Sequence, residues 1–319
     1  MSTSTSTAYS SKSTAYKYCK NTLKSIGRYK LLLLLLLPAI IYYIIFRYAP
    51  IYGTLIAFKD YKFRLGVSGS PWIGFANFSR LFASRDFWEV LRNTVMLSSF
   101  KLLFGFPAPI IFAILLNEVR NMHYKKFVQT ISYLPHFLSW VILAGIIMKF
   151  LSPSEGPVNY FIMELGGQPI HFLANNSWFR GVLVSTSVWK NIGWESIIYL
   201  AALCSIDTQL YDSAVIDGCN RFQSAIYITL PSLAPVITIM FILSIGSIIN
   251  DDFDQIFNLY NEAVYEVGDV LSTYTYRIGL QQMKFGFSTA VGLFQNVIAF
   301  VLVLFTNKIT KRFSEYGIW

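Results

Sequence analysis

Residues 31–46 read LLLLLLLPAIIYYIIF, an almost unbroken apolar run that six basic residues precede. A helix needs about 20 mainly apolar residues to cross the hydrocarbon core of a bilayer. The run is long for the apolar part of a secretory signal peptide, and no small-residue cleavage site follows it. We therefore interpret it as a retained first membrane span, preceded by a mobile cytoplasmic tail over residues 1–29.

Five further apolar segments follow toward the carboxyl terminus, over residues 94–116, 132–150, 181–205, 234–249 and 290–309. The whole chain of 319 residues is 54% hydrophobic and only 13% charged, whereas soluble domains carry about 25% charged residues. We therefore predict an all-α integral membrane fold with six transmembrane helices. Pro107 and Pro109 predict a kink or break in the second span.

Basic residues indicate the orientation of these spans. Six of them precede the first span, and Lys125, Lys126, Lys308, Lys311 and Arg312 follow in segments on the same side. Cytoplasmic loops of membrane proteins carry an excess of Lys and Arg. We expect both termini inside and a transmembrane domain over residues 30–319, with a long outer loop over residues 50–90 and a cytoplasmic loop over residues 205–233.

The sequence lacks the motifs of several catalytic and binding classes. Its three cysteines include no C-x-x-C pair, and its three histidines include no H-E-x-x-H pair. We therefore expect neither a disulfide framework nor a metal site. The dipeptide Gly-Lys never occurs, so the phosphate-binding loop of Walker-type ATPases is absent from the sequence. The net charge of +9 is spread between apolar segments, which fits membrane topology better than nucleic-acid binding.

The cytoplasmic loop contains the most informative pattern, DSAVIDG at residues 212–218. Asp207 can cap a first short helix, and Gly218 permits the left-handed turn that ends it. Apolar residues at helical spacing follow on a second short helix, which we expect Pro231 to end. An exposed amphipathic hairpin of this kind is suited to a groove in a partner protein.

This loop resembles the coupling loop of ABC importer permeases, whose consensus is E-A-A…G…I-x-L-P. Asp212 stands at the Glu position, Ser213 and Ala214 at the two alanines, and Pro231 at the closing proline. The resemblance implies that a short helix docks into a cleft of an ATPase subunit and transmits its motion. The residues expected to make this coupling are Tyr211, Asp212, Ser213, Ala214, Asp217, Gly218 and Pro231.

The resemblance covers nearly the whole chain. Segments such as residues 50–61, 115–120 and 255–261 are similar to the carbohydrate-uptake branch of these permeases. It implies a multi-pass protein of the bacterial plasma membrane that forms one half of a heterodimeric pore. The implied partners are a second permease subunit, two ATPase subunits that bind ATP and magnesium, an extracytoplasmic solute-binding protein and membrane lipid. The implied function is oligosaccharide import, with no cofactor, enzyme activity or nucleic-acid partner of the chain's own.

Polar and aromatic residues within the spans are candidates for a sugar pathway. Charges at bilayer depth usually face a cavity or a partner, and sugars need hydrogen-bond partners and flat apolar surfaces. For the fourth span the alternative interpretation is a buried ion pair of Lys190 and Glu195. For Gln295 and Asn296 in the sixth span it is interhelical hydrogen bonding. The pathway candidates are Trp140, Trp189, Asn191, Trp194, Glu195, Asn250, Gln295 and Asn296.

Four charged residues in predicted outer segments, Lys59, Asp60, Asp252 and Asp254, are candidates for docking the binding protein. Packing of the outer loop on the bundle is the alternative for Lys59 and Asp60. For the acidic pair the alternatives are a solvated surface, a cation or sugar hydroxyls.

Two other functions stay open from the sequence. An ion-coupled secondary carrier predicts inverted repeats, and none is clear. An ABC importer for peptides or amino acids is the second. A membrane enzyme is disfavoured because no catalytic constellation is present.

Overall fold

The computed structural model describes residues 29–246, 248–249 and 252–313. Within these residues the protein is all-helical, as predicted, and one isolated antiparallel bridge joins Lys59 and Trp72. Nearly all of the predicted tail, together with Asn250, lies outside the described residues. The main helices are α1 Lys30–Tyr43, α2 Arg85–Gly105, α3 Pro107–Asn117, α4 Met122–Tyr133, α5 Trp140–Phe150, α6 Asn176–Leu203, α7 Thr208–Ile216, α8 Leu230–Gly246, α9 Phe253–Leu259 and α10 Phe285–Phe313.

Shorter helical segments connect them. Six are α-helical: Gly66–Gly69, Ala76–Ala83, Pro157–Glu164, Arg221–Ser224, Tyr265–Gly268 and Leu271–Tyr276. Four are 3₁₀-helical: Ala49–Phe58, Phe63–Leu65, Leu134–Phe137 and Glu262–Val264. Three are π-helical: Ile44–Tyr48, Ala225–Thr229 and Arg277–Gln281.

The chain falls into two units, which divide between Ile56 and Ala57. In the first unit, α1 continues through the π-helical turn into the 3₁₀-helical segment that begins at Ala49. No side chain of α1 is buried, although the helix is apolar on every side. A helix with this pattern is suited to a lipid environment.

Four helical stretches are long and apolar enough to cross a membrane: Lys30–Phe58, Arg85–Asn117, Arg221–Gly246 and Phe285–Thr310. A fifth is the bent pair Met122–Phe137 and Trp140–Phe150, if the two halves count as one span. Helix α6 has 28 residues, which is about 42 Å at 1.5 Å per residue. It does not meet the same test of apolarity.

Three details differ from the sequence predictions. The second span begins at Arg85, inside the predicted outer loop, while the interruption of its helix at Phe106 just before Pro107 agrees with the prediction. The third predicted span is bent by 107° instead of straight. Pro231 does not end its helix: the π-helical turn Ala225–Thr229 precedes it, and α8 runs on to Gly246. A widened turn lets a helix pass a residue that lacks an N–H.

Helix α6 lies at the centre of the second unit. Its buried Phe179 and Leu183 pack in one apolar cluster with Leu143 of α5 and Ile256 of α9. Gly193 allows α6 to approach α4 closely, since a β-carbon there would lie 2.2 Å from the carbonyl oxygen of Ser132. Small residues permit such close packing of membrane helices.

Candidate functional site

The loop between α6 and α8 forms a hairpin, which we define as residues 207–224. The Asp207 side chain accepts a hydrogen bond from the Gln209 N–H and caps α7. The other end of α7 is closed by Gly218, whose φ is +80°. The Gly218 N–H donates to the Val215 carbonyl, and the Cys219 N–H donates to the Ala214 carbonyl. This pair of bonds is the Schellman motif, so the predicted cap and turn are both confirmed.

The hairpin exposes an unusual amount of apolar surface. Val215, Ile216 and Phe222 are 71%, 86% and 74% exposed, whereas Ala214 is buried. Exposed large apolar groups that lie close together mark an interaction surface. The prediction of an amphipathic hairpin is therefore only partly correct, because Ala214 is the one buried residue of α7.

Two side-chain contacts fix the hairpin to the helices around it. The hydroxyl groups of Tyr211 and Thr229 lie 2.9 Å apart, which joins α7 to the turn before α8. Arg221 lies 3.6 Å from the Glu118 carboxylate, next to the end of α3. Six of the seven coupling candidates lie together on α7 and its closing turn, while Pro231 lies at the start of α8.

The bend between α4 and α5 is held by Lys190 of α6. Its Nζ donates to the carbonyl oxygens of Pro135 at 3.4 Å, His136 at 3.2 Å and Leu138. The ammonium group also lies 5.1 Å from the centre of the Trp140 ring. Lys190 is only 8% exposed. Among the described residues it makes no ion pair with Glu195, so within this chain the alternative interpretation is wrong.

Aromatic residues continue from the bend toward a polar cavity. The Trp140 Nε1 donates to the Asp252 carboxylate at 2.6 Å. His136 stacks on Trp194, with ring centres 4.7 Å apart. The His136 Nδ1 also lies 3.2 Å from the Asn191 Oδ1. The structure thus links a predicted pathway residue, Trp140, with a predicted docking residue, Asp252.

The cavity measures about 360 Å³ and lies between α2, α3, α6 and α8. One face of α6 supplies Ser187, Asn191, Glu195 and Tyr199, spaced by four residues. Of the predicted pathway residues, Asn191 and Glu195 line it. The full set of lining residues also includes Ser98, Lys101, Leu102, Gly105, Phe106, Pro109, Val188, Ile192, Met240, Ser244, Ile248 and Asp252.

The other pathway candidates lie elsewhere. Trp189 and Trp194 do not line the cavity and are 47% and 43% exposed. The Gln295 side chain donates to the Ile249 carbonyl at 2.5 Å, and Asn296 is exposed on α10. Residues that the sequence prediction missed are Lys101 and Tyr199. A charge within the second span was the available signal for Lys101, and the spacing of four from Glu195 was the signal for Tyr199.

Lys59 and Asp60 line a second cavity of about 600 Å³, together with Arg80 and Arg277. It lies near the residues where α2 and α10 begin, at the opposite end of α2 and α3 from Glu118 and the hairpin. Arg277 lies 2.5 Å from the Asp269 carboxylate, and this hydrogen bond raises the pKa of the Arg277 guanidinium. Asp254 is exposed and does not line this cavity.

Residues 105–314 match the family model described as binding-protein-dependent transport system inner membrane component. The chain belongs to this family. Members of this family are permease subunits of ABC transporters, so the chain is a transport pore rather than an enzyme. The resemblance that the hairpin residues suggested is therefore confirmed.

Proteins of known sequence and structure are similar over almost the whole chain. Protein LplB of Bacillus subtilis (strain 168) is 44% identical, covering 92% of this chain and 93% of its own length. The polygalacturonan/rhamnogalacturonan transport system permease protein YteP of the same organism is 42% identical, covering 94% of both chains. A chain in the crystal structure of a bacterial ABC transporter involved in the import of the acidic polysaccharide alginate is 44% identical. It matches with a TM-score of 0.85, covering 92% of this chain and 99% of that chain.

Proposed function

We propose that this chain is one half of the pore of an ATP-driven importer in the bacterial plasma membrane, and that its cargo is an oligosaccharide. The observation that carries the proposal is the capped hairpin, which leaves large apolar side chains exposed. The similarity to a polysaccharide permease and to an alginate importer supports the class of cargo.

The proposed topology has six spans, with both termini in the cytoplasm. The spans are α1, the pair α2 and α3, the bent pair α4 and α5, α6, α8 and α10. Helix α6 counts as a span because its length of 28 residues is sufficient. Its low apolarity follows from the polar face that it turns to the cavity. The hairpin and both termini then lie inside, and the cavity that contains Lys59 lies outside.

Partners complete the proposed transporter. A second permease subunit forms the other half of the pore, two ATPase subunits bind ATP and magnesium, and a solute-binding protein delivers the sugar from outside. A solved relative of this chain is a complex of an alginate transporter with a periplasmic protein that holds an alginate pentasaccharide. This relative supports docking of a binding protein on the outer face, where Lys59 and Asp60 lie.

In the proposed mechanism this chain does no covalent chemistry. Closure of the ATPase subunits on ATP moves the hairpin, and the contacts of Tyr211 and Arg221 pass that motion to α8 and α3. The energy comes from the different affinities of the two pore conformations for the nucleotide-bound ATPases. The sugar then passes the cavity that Asn191 and Glu195 line.

Reconstitution tests the proposal. The four-subunit complex is placed in proteoliposomes with the binding protein, and uptake of labelled oligosaccharides is measured with ATP, without ATP, and with an ion gradient alone. The proposal expects uptake only when both ATP and the binding protein are present. Uptake driven by the ion gradient alone, without ATP, would instead establish a secondary carrier. ATP-driven uptake of peptides but not of sugars would establish the peptide importer.

A further inference from the structure

The cavity beside α6 carries polar groups that are suited to uncharged sugars. Glu195 and Asp252 present carboxylate oxygens to it, and Asn191 presents an amide. Tyr199 also lines the cavity, and the residue as a whole is only 2% exposed.

Two acidic residues and one basic residue line this cavity. Lys101 is the single basic residue among the described residues that line it, and its Nζ donates to the Gln255 Oε1 at 2.6 Å. The second cation nearby, Lys190, directs its ammonium group to the carbonyls of the bend. The lining therefore has a net negative formal charge.

This charge disfavours acidic sugars. Proteins recognise a carboxylate with Arg or Lys donors, best in a bidentate arrangement, and the cavity offers no arginine among its described lining residues. Like charges in a partly desolvated site repel each other far more strongly than in water. Hydroxyl groups of an uncharged sugar, in contrast, can donate to both Glu195 and Asp252.

We infer that Glu195 and Asp252 make this permease selective for uncharged oligosaccharides over those that contain uronate units. The inference rests on the proposed function and deepens it. It separates this chain from relatives whose printed substrates are polygalacturonan/rhamnogalacturonan and the acidic polysaccharide alginate.

The test uses the full complex with its binding protein in proteoliposomes and two probes of equal length, galactotetraose and tetragalacturonate. The double variant Glu195→Gln, Asp252→Asn leaves Lys101 as the charged residue of the lining. The Asp252→Asn change keeps an oxygen acceptor for the Trp140 Nε1, since an amide oxygen also accepts a hydrogen bond. A matched control, Glu155→Gln with Glu164→Gln, removes the same charge from two exposed positions outside the cavity.

The measured quantity is the ratio of initial uptake rates, acidic probe over uncharged probe. The same binding protein serves the wild-type and the variant transporter, so its own preference cancels when their ratios are compared. We expect the ratio to rise about tenfold or more in the cavity variant and to stay within about twofold in the control. An unchanged ratio in the cavity variant, or uptake of only the acidic probe by the wild type, overturns the inference. Uptake of both probes without ATP contradicts the proposed function instead.

Discussion

Replacing Lys190 by Met should destabilise the bent span while leaving a side chain of similar length. The ammonium group satisfies the carbonyl oxygens of Pro135, His136 and Leu138 at the point where the helix is interrupted. A buried polar group that loses its partner costs about 1–3 kcal/mol. Three such groups give a loss of at least about 3 kcal/mol, and removal of one member of a buried charged network costs a similar amount, about 3–5 kcal/mol.

Thermal unfolding of the purified complex in detergent, followed by the loss of monodisperse protein, measures this effect. We expect the midpoint to fall by about 5 °C or more for a loss of that size. Lys149→Met is the matched control, because this lysine is exposed in the last turn of α5 and its change should leave the midpoint within about 1 °C. An equal midpoint for Lys190→Met and the wild type would refute the role of Lys190 in holding the bend.

Two backbone positions and one buried side chain give three further predictions. Gly218→Val places a β-branched residue at φ +80°, at a cost of about 1–2 kcal/mol, and should reduce sugar uptake while the ATPases continue to hydrolyse ATP. Gly218→Asn should retain more uptake, because asparagine tolerates this conformation. Equal uptake in the wild type and in Gly218→Val would contradict the reasoning. Met283 has φ +58°, so Met283→Gly should raise the unfolding midpoint by relieving about 1 kcal/mol of backbone strain, and a lower midpoint would show that its side chain contributes more than the strain costs. Asn159 is fully buried, and its side chain donates to the carbonyls of Leu151, Ser152 and Ile170 and accepts from the Ile170 N–H. Asn159→Leu should therefore lower the free energy of unfolding by about 3 kcal/mol. A stability equal to that of the wild type would argue against this network.

The helical class and the hairpin could be predicted because each depends on local sequence. Long apolar runs specify membrane helices, and the Asp207 cap and the Gly218 turn are set by residues within a few positions of each other. The family was identified from the same hairpin residues, and the match over residues 105–314 confirms it.

The bend of the third span could not be predicted because it depends on a distant residue. Pro135 indicates an irregularity, but the 107° angle is held by Lys190, which lies 55 positions later. The sequence suggested Glu195 as the partner of Lys190 because charges of opposite sign lay close together in the chain. The partners of Lys190 are instead backbone carbonyl groups at the bend. No sequence pattern within one span indicates these partners.

The position of Asp252 was missed for a similar reason. Its place after the fifth span suggested an outer surface, whereas the bond to Trp140 brings it to the cavity. Helix α6 is less apolar than the other spans because one of its faces is polar. This polar face lines the cavity.

Chemical crosslinking at the tip of α7 tests the coupling role of the hairpin most directly. In a background without native cysteines, which removes Cys204 and Cys219 near the site, Ile216→Cys places a thiol at a position that is 86% exposed. Phe161→Cys provides a control thiol at a 66% exposed position in the helix Pro157–Glu164. We expect a short thiol-reactive crosslinker to join Ile216→Cys, and not Phe161→Cys, to an ATPase subunit, with a yield that changes when ATP is added. Absence of this product at Ile216→Cys in an assembled, ATP-hydrolysing complex would contradict the account.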